Sequence, residues 1–423
     1  MNLLDKDKWH EIYIALRKNP WRTFFTAFGV FWGIFMLIIM MGAGEGLYNG
    51  ASQDLGDMAT NSVFMWTRRT TIPYKGFPRG RFYRFNNGDT KALKESISEL
   101  QYIAPRLQGW GGNGNNNVIR GERTGAFQIQ GDYPEINIID PVNLTQGRFI
   151  NQIDINDLRK VAVIGLRVFN EMFEPHENPI GEYIQIQGVY FRVVGTFQSK
   201  KNDQQADREN QAIYIPFTTL QKVYNYGDRV GWYSMTAKDD IPVAIVEEKA
   251  KEILRQRHSI HPDDVRAVGS FNMDEQWTKM TNLFTGIRGL VWIVGIGTLL
   301  AGVIGVSNIM LIVVRERTKE IGIQRAIGAP PISVISQIII ESVLLTAVAG
   351  YFGLAIGVGL LELINFGLTS SGAESNMFSN PSVDFVVATR ALGALVFSGI
   401  LAGLIPAYRA VSIKPIDALR DEG

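Results

Sequence analysis

Residues 23–44 run for 22 positions without a charged side chain, and comparable runs recur at 289–314 (26 residues), 342–361 (20) and 391–408 (18). A bilayer core roughly 30 Å thick takes about 20 apolar helical residues to cross. At about 1.5 Å per residue the first run reaches ~33 Å and the second ~39 Å, so the second is expected to tilt or protrude. Four membrane-spanning helices are therefore predicted. The mean hydropathy of +0.02 conceals them, because the apolar residues are gathered into blocks.

A cleaved signal peptide is the alternative for the first run, since Lys6, Lys8, Arg17, Lys18 and Arg22 precede it like a basic n-region. The run is longer than the apolar part of such peptides, so a retained anchor is predicted. Basic residues crowd before the first run, between the second and third (Arg315, Arg317, Lys319, Arg325) and after the fourth (Arg409, Lys414, Arg420). Residues 365–384 have neither Lys nor Arg. By the positive-inside rule the three basic faces and both termini are cytoplasmic. The expected segments are 1–22 (cytoplasmic or interfacial helix), 23–44 (span), 45–288 (outer domain), 289–314 (span), 315–331 (inner loop), 332–362 (span with an interfacial start), 363–388 (outer loop), 389–408 (span) and 409–423 (inner tail).

A net charge of +1 argues against nucleic acid as a partner. With no cysteine there is no disulfide, thiolate metal site or cysteine nucleophile. His258, His261, Asp263 and Asp264 can be drawn as a metal cluster, but Pro262 and the scarcity of other histidines favour a solvated loop. Glu341 and Glu362 bracket the third run and are expected at its interfaces rather than in mid-bilayer. Small residues four apart (Gly29/Gly33, Gly297/Ala301/Gly305, Gly399/Gly403) mark faces where helix backbones approach closely.

The 45–288 insertion patterns as a mixed α and β domain. Strand-like runs are 62–66, 161–164, 183–187, 191–197 and 212–215; helix-like runs are 90–100, 166–173 and 243–256. Residues 109–117 (GWGGNGNNN) are loop by composition and a candidate boundary between subdomains. Residues 45–59 and 273–288 are compatible with helices that continue the first two spans outward as a stalk. On the other side, residues 315–331 (RERTKEIGIQRAIGAPP) predict a short amphipathic helix with Ile321, Ile323 and Ile327 on its apolar side, ended by Gly328 and the following prolines. Such a helix suits a partner's groove or the headgroup layer equally. Trp9, Ile12, Tyr13 and Leu16 give the N-terminal segment the same amphipathic spacing.

Residues 307–357, beginning SNIMLIVVRERTKEIGIQRAIGAPP, resemble the core of the MacB and FtsX superfamily of ABC transporter permeases. The tail PAYRAVSIKPIDALRDE is similar to that superfamily's closing motif, and KVAVIGLRVFNEMF, NPIGEYIQIQGVYFRVVGTF and AIYIPFTTLQ resemble the MacB-type periplasmic core domain. The resemblance covers nearly the whole chain. It implies an α-helical membrane protein with four transmembrane helices and a large mixed α+β periplasmic domain between the first and second, set in the inner membrane. It also implies a dimer of permease subunits, homo- or heterodimeric, and an ATPase docked on the loop after the second span. The contact residues it implies are Arg315, Glu316, Arg317, Glu320, Ile321, Gly322, Arg325, Ala326 and Gly328. Pro330, Pro331 and Tyr408 depart from the family's usual pattern.

No G-x-x-x-x-G-K-[ST] loop occurs, so the ATPase that binds ATP and Mg is expected to be a separate subunit, and the chain itself to be non-catalytic without a cofactor. The function implied is mechanotransmission: ATP hydrolysis inside drives the outer domains to move and export a periplasmic substrate with an adaptor and outer-membrane channel. A lipoprotein-releasing permease and an FtsX-like regulator of cell-wall hydrolases share the same plan. A membrane-anchored periplasmic enzyme would need a convergent catalytic cluster, which the outer domain's sequence does not offer.

Overall fold

The computed structural model describes residues 20–53, 58–109, 116–200, 203–371, 378–382 and 385–412. The expected N-terminal amphipathic helix, residues 110–115 of the glycine-rich loop and the basic tail beyond Ser412 lie outside these. The described chain forms two compact units, one of long helices and one of mixed α and β structure.

Among the described residues four helices are long and apolar enough to cross a membrane. The first is Pro20–Gln53, the second Met273–Glu316, the third Pro331–Ser371 and the fourth Phe385–Ser412. All four outrun their charge-free stretches, because a helix does not stop where the apolar run stops. The first continues past Gly44 to Gln53, short of the expected residue 59. The third runs beyond residue 362 to Ser371, into what was expected as loop.

Close backbone approach explains much of the packing. A Cβ on Gly399 would stand 2.8 Å from Val343 Cα, and one on Gly403 3.1 Å from Ile339 Cα, so the fourth helix lies directly on the third. Gly29 and Gly33 likewise face Gly302 and Thr298 of the second helix at 3.8 and 3.5 Å. Gly297 and Gly305 do not pack in this way: a Cβ at either would meet nothing within 4 Å. Where the first and second helices emerge from their apolar runs, Arg288 pairs with Glu45 at 2.6 Å and Phe284 meets Tyr48 edge-on at 5.3 Å. These contacts join the helices predicted as a stalk.

The second unit is built on a sheet of eleven strands among the described residues. Ala212–Pro216 pairs in parallel with Arg123–Asp132 and antiparallel with Val161–Gly165, which runs parallel to Val189–Gln198. Tyr183–Ile186 and Asn116–Arg120 complete a ring back to Arg123–Asp132. From that last strand an open sheet leads away through Leu100–Gln108, Trp232–Ala237, Ser62–Thr67 and Val268–Asn272. The glycine-rich loop thus follows the strand that joins ring to open sheet. Val161–Gly165 and Ala212–Pro216 are buried at every position, which accounts for their uninterrupted apolar sequences.

Helix Asn87–Ser96 starts with a capping box, Asn86 and Asp89 satisfying each other's backbone N–H groups at 3.0 and 2.9 Å. It ends before the predicted residue 100, because Ile97 turns extended and Leu100 opens a strand. The strand predicted at 183–187 stops at Ile186, since Gln187 and Gly188 turn back with positive φ of 50° and 79°. His258, His261, Asp263 and Asp264 take separate partners: His258 Nε2 sits 2.7 Å from Asp89, His261 Nδ1 accepts from Asp263 N–H, and Asp264 accepts from Thr71.

Candidate coupling element

Helix Thr318–Ala326 follows the second long helix after a one-residue break at Arg317. Its end is built for a sharp stop. Gly328 N–H donates to Arg325 O at 3.1 Å and Ala329 N–H to Gln324 O at 3.0 Å, the paired bonds of a Schellman motif. Gly328 adopts φ +104°, which a side chain would strain. Pro331 then opens the third long helix, where its missing N–H costs nothing.

Two arginines tie this element to the helices behind it. Arg317 Nη1 lies 3.0 Å from Glu341 Oε1 on the third helix, and that carboxylate is only 6% exposed. Arg325 Nη1 donates to Val411 O near the end of the fourth helix. Ile321 and Gly322 are buried between them. Arg315, Glu316, Lys319, Glu320, Ile323, Ala326, Ile327 and Gly328 are exposed, Ile327 by 82%. The predicted apolar side is therefore divided: Ile321 packs inward, while Ile323 and Ile327 face out.

Residues 23–253 match the family described as MacB-like periplasmic core domain, and residues 292–415 the family described as FtsX-like permease C-terminal. The chain belongs to the MacB-like, FtsX-type permeases. The macrolide export ATP-binding/permease protein MacB of Vibrio parahaemolyticus is 28% identical over 410 residues, 96% of this chain and 58% of the relative. The pyoverdine export ATP-binding/permease protein PvdT of Pseudomonas putida is 28% identical over 422 residues, 98% of this chain and 59% of the relative. The chain thus spans about three fifths of the length of these relatives. The crystal structure of the periplasmic region of MacB from Actinobacillus actinomycetemcomitans shares 19% identity over 54% of this chain and 97% of that structure, with a TM-score of 0.43.

With four apolar helices and a periplasmic-type domain, this MacB-like permease is an inner-membrane protein. The nine residues singled out from its sequence do not form one face. Arg315, Glu316, Glu320, Ala326 and Gly328 are exposed, whereas Arg317, Ile321, Gly322 and Arg325 are turned to the permease's own helices. Glu341, at the start of the third charge-free run, is a buried acceptor for Arg317. The exposure of Ile323 and Ile327 was not legible, because helical spacing cannot say which of several isoleucines a tertiary neighbour will cover. The sequence signal that remained was the count of isoleucines, three on a nine-residue helix and its cap, more than so short an element can bury.

Proposed function

We propose that this MacB-like permease is a non-catalytic transmission subunit. It passes the work of an ABC ATPase from the cytoplasmic face to the 45–288 domain. The observation behind this reading is the double anchorage of helix Thr318–Ala326, to Glu341 on the third long helix through Arg317 and to Val411 on the fourth through Arg325. A push on the outward side, at Glu320, Ile323, Ala326 and Ile327, reaches two spans with little slack. The unbroken helix Met273–Glu316 gives the same push a stiff path toward the outer domain.

In this reading the ATPase is a separate subunit that binds ATP and Mg, the permease acts as a dimer, and both termini lie in the cytoplasm with the basic segments. The relatives named for macrolide and pyoverdine export support export as the task. The substrate would be taken up outside the inner membrane and passed to an adaptor and outer-membrane channel.

Reconstitution with an ABC ATPase partner tests the reading. Glu320→Arg and Ile327→Asp are each expected to lower permease-dependent ATP turnover about tenfold, the scale of one lost interface contact. Thermal stability should be unchanged, since both side chains are exposed. Full coupling in both variants would overturn the docking assignment.

A further inference from the structure

Residues 68–84, between strands Ser62–Thr67 and Phe85–Asn86, carry Arg68, Arg69, Lys75, Arg79, Arg81 and Arg84 and no acidic side chain. The loop is pinned rather than loose. Buried Asp264 accepts from Thr71 N–H at 2.6 Å, Thr71 Oγ1 at 2.7 Å and Ile72 N–H at 3.1 Å. Gly80 N–H donates to Thr70 O at 2.8 Å, Arg81 N–H to Thr70 Oγ1 at 3.1 Å, and Tyr74 and Phe77 exchange backbone bonds. Arg81 is used internally, stacking over Phe77 at 4.0 Å and donating to the carbonyls of His258 and Ser259.

The other five cations are exposed, and none is ion-paired among the described residues. Arg229 adds a sixth. It lies opposite Asn86 in the two-stranded ribbon, half-buried, with its guanidinium over Tyr226 at 5.3 Å. Burial first, and then the neighbouring charge of Arg84, pull Arg229 below its ordinary pKa. Two guanidiniums that repel one another form an arrangement that a bound anion relieves. Phe77 and Phe82 are 44% and 55% exposed among these cations. Arginine with large aromatics is the composition of protein–protein interfaces, and a guanidinium fork matches a carboxylate in two parallel bonds. The loop also leaves the Thr67/Val268 end of its strand pair, opposite the end where the chain enters at Ser62 and leaves at Asn272.

We propose that residues 68–84 with Arg229 form a docking surface for an acidic segment of a partner protein. Its carboxylates fork onto the exposed guanidiniums and an apolar side chain seats against Phe77 and Phe82. The proposal does not depend on the ATP-coupling reading.

The probe is a fluorescein-labelled copolymer of glutamate and tyrosine, titrated into the full chain in nanodiscs of neutral lipid. Saturable, salt-sensitive binding is expected, weakened about tenfold or more by Arg79→Glu with Arg84→Glu. Arg79→Gln with Arg84→Gln should give a smaller loss and guards against a reversal that disturbs folding. Phe77→Ala with Phe82→Ala should weaken the copolymer several-fold and leave polyphosphate binding unmoved. Absence of copolymer binding, or binding that survives both charge variants, overturns the proposal. Tighter binding of polyphosphate, or of phosphatidylglycerol vesicles, also overturns it, in favour of a phosphate polymer or a lipid surface respectively.

Discussion

Two buried ion pairs show how a residue's surroundings set its task. Arg106 is 9% exposed and Asp132 fully buried; they meet in a two-pronged contact of 2.6 and 3.1 Å, with Gln130 accepting a further bond at 2.6 Å. Trp232 covers the guanidinium at 5.5 Å. Because the two charges sit on the strands that join ring to open sheet, Arg106→Ala should leave a carboxylate stranded there and destabilise the chain by about 3–5 kcal/mol. Arg106→Met with Asp132→Leu should restore much of that loss, and denaturant unfolding of the purified protein would measure both. Asp89 makes a pH-dependent contribution. Burial raises its pKa, but hydrogen bonds from His258, Arg257 and the Asn86 backbone outweigh that and hold it below the ordinary carboxylate value. A depressed folded-state pKa stabilises above the unfolded value of about 3.9 and is lost as pH falls through the folded one. Melting temperature should therefore drop below about pH 4, and the drop should be smaller in Asp89→Asn, which starts from a lower plateau.

At the scale of elements, the short helix Thr318–Ala326 depends on a glycine stop and a buried salt link. Gly328→Ala forces a side chain into φ +104° and should cost on the order of 1 kcal/mol. The expected signature is weaker coupling of ATP turnover in the reconstituted complex with the fold retained. Arg317→Gln keeps a donor without the charge, so it should uncouple less than Arg317→Ala, which removes the Arg317–Glu341 link altogether. The fourth helix offers a packing test. Gly399→Val would drive methyl groups into Val343 and Thr346, and overpacking of that kind costs typically 1–3 kcal/mol. A lower melting temperature in detergent is the expected reading.

For the whole molecule, the proposed transmission requires the first two long helices to move where the Glu45 and Arg288 side chains now meet at 2.6 Å. The chain has no cysteine, so Glu45→Cys with Arg288→Cys gives a single pair of thiols within a subunit, which a short reducible thiol crosslinker can join. Crosslinking is expected to suppress permease-dependent ATP turnover and reduction to restore it. Undiminished turnover in a fully crosslinked sample would show that these helices need not separate.

How much of this was legible follows from the range of the forces involved. The four spans could be read from the sequence, because transfer into a bilayer depends on the local length of apolar chain and on little else. So could the strands expected at 161–164 and 212–215, each of which runs one residue further, because burial on both faces leaves a continuous apolar run. Leu100–Gln108 was illegible: Pro105 and Arg106 stand buried in its interior, opposite Tyr233 and Trp232, and a proline with an arginine argues against a central strand. Asp132 and Gln130, from a strand more than twenty residues on, make that arginine tolerable there. The inner loop divides in the same way. Its helix, its glycine stop and its family likeness were local properties that the sequence determined by itself. Which arginines turn inward, which isoleucines stay exposed and where Glu341 finds its partner were decided by the tertiary structure, because each depends on a side chain from another helix.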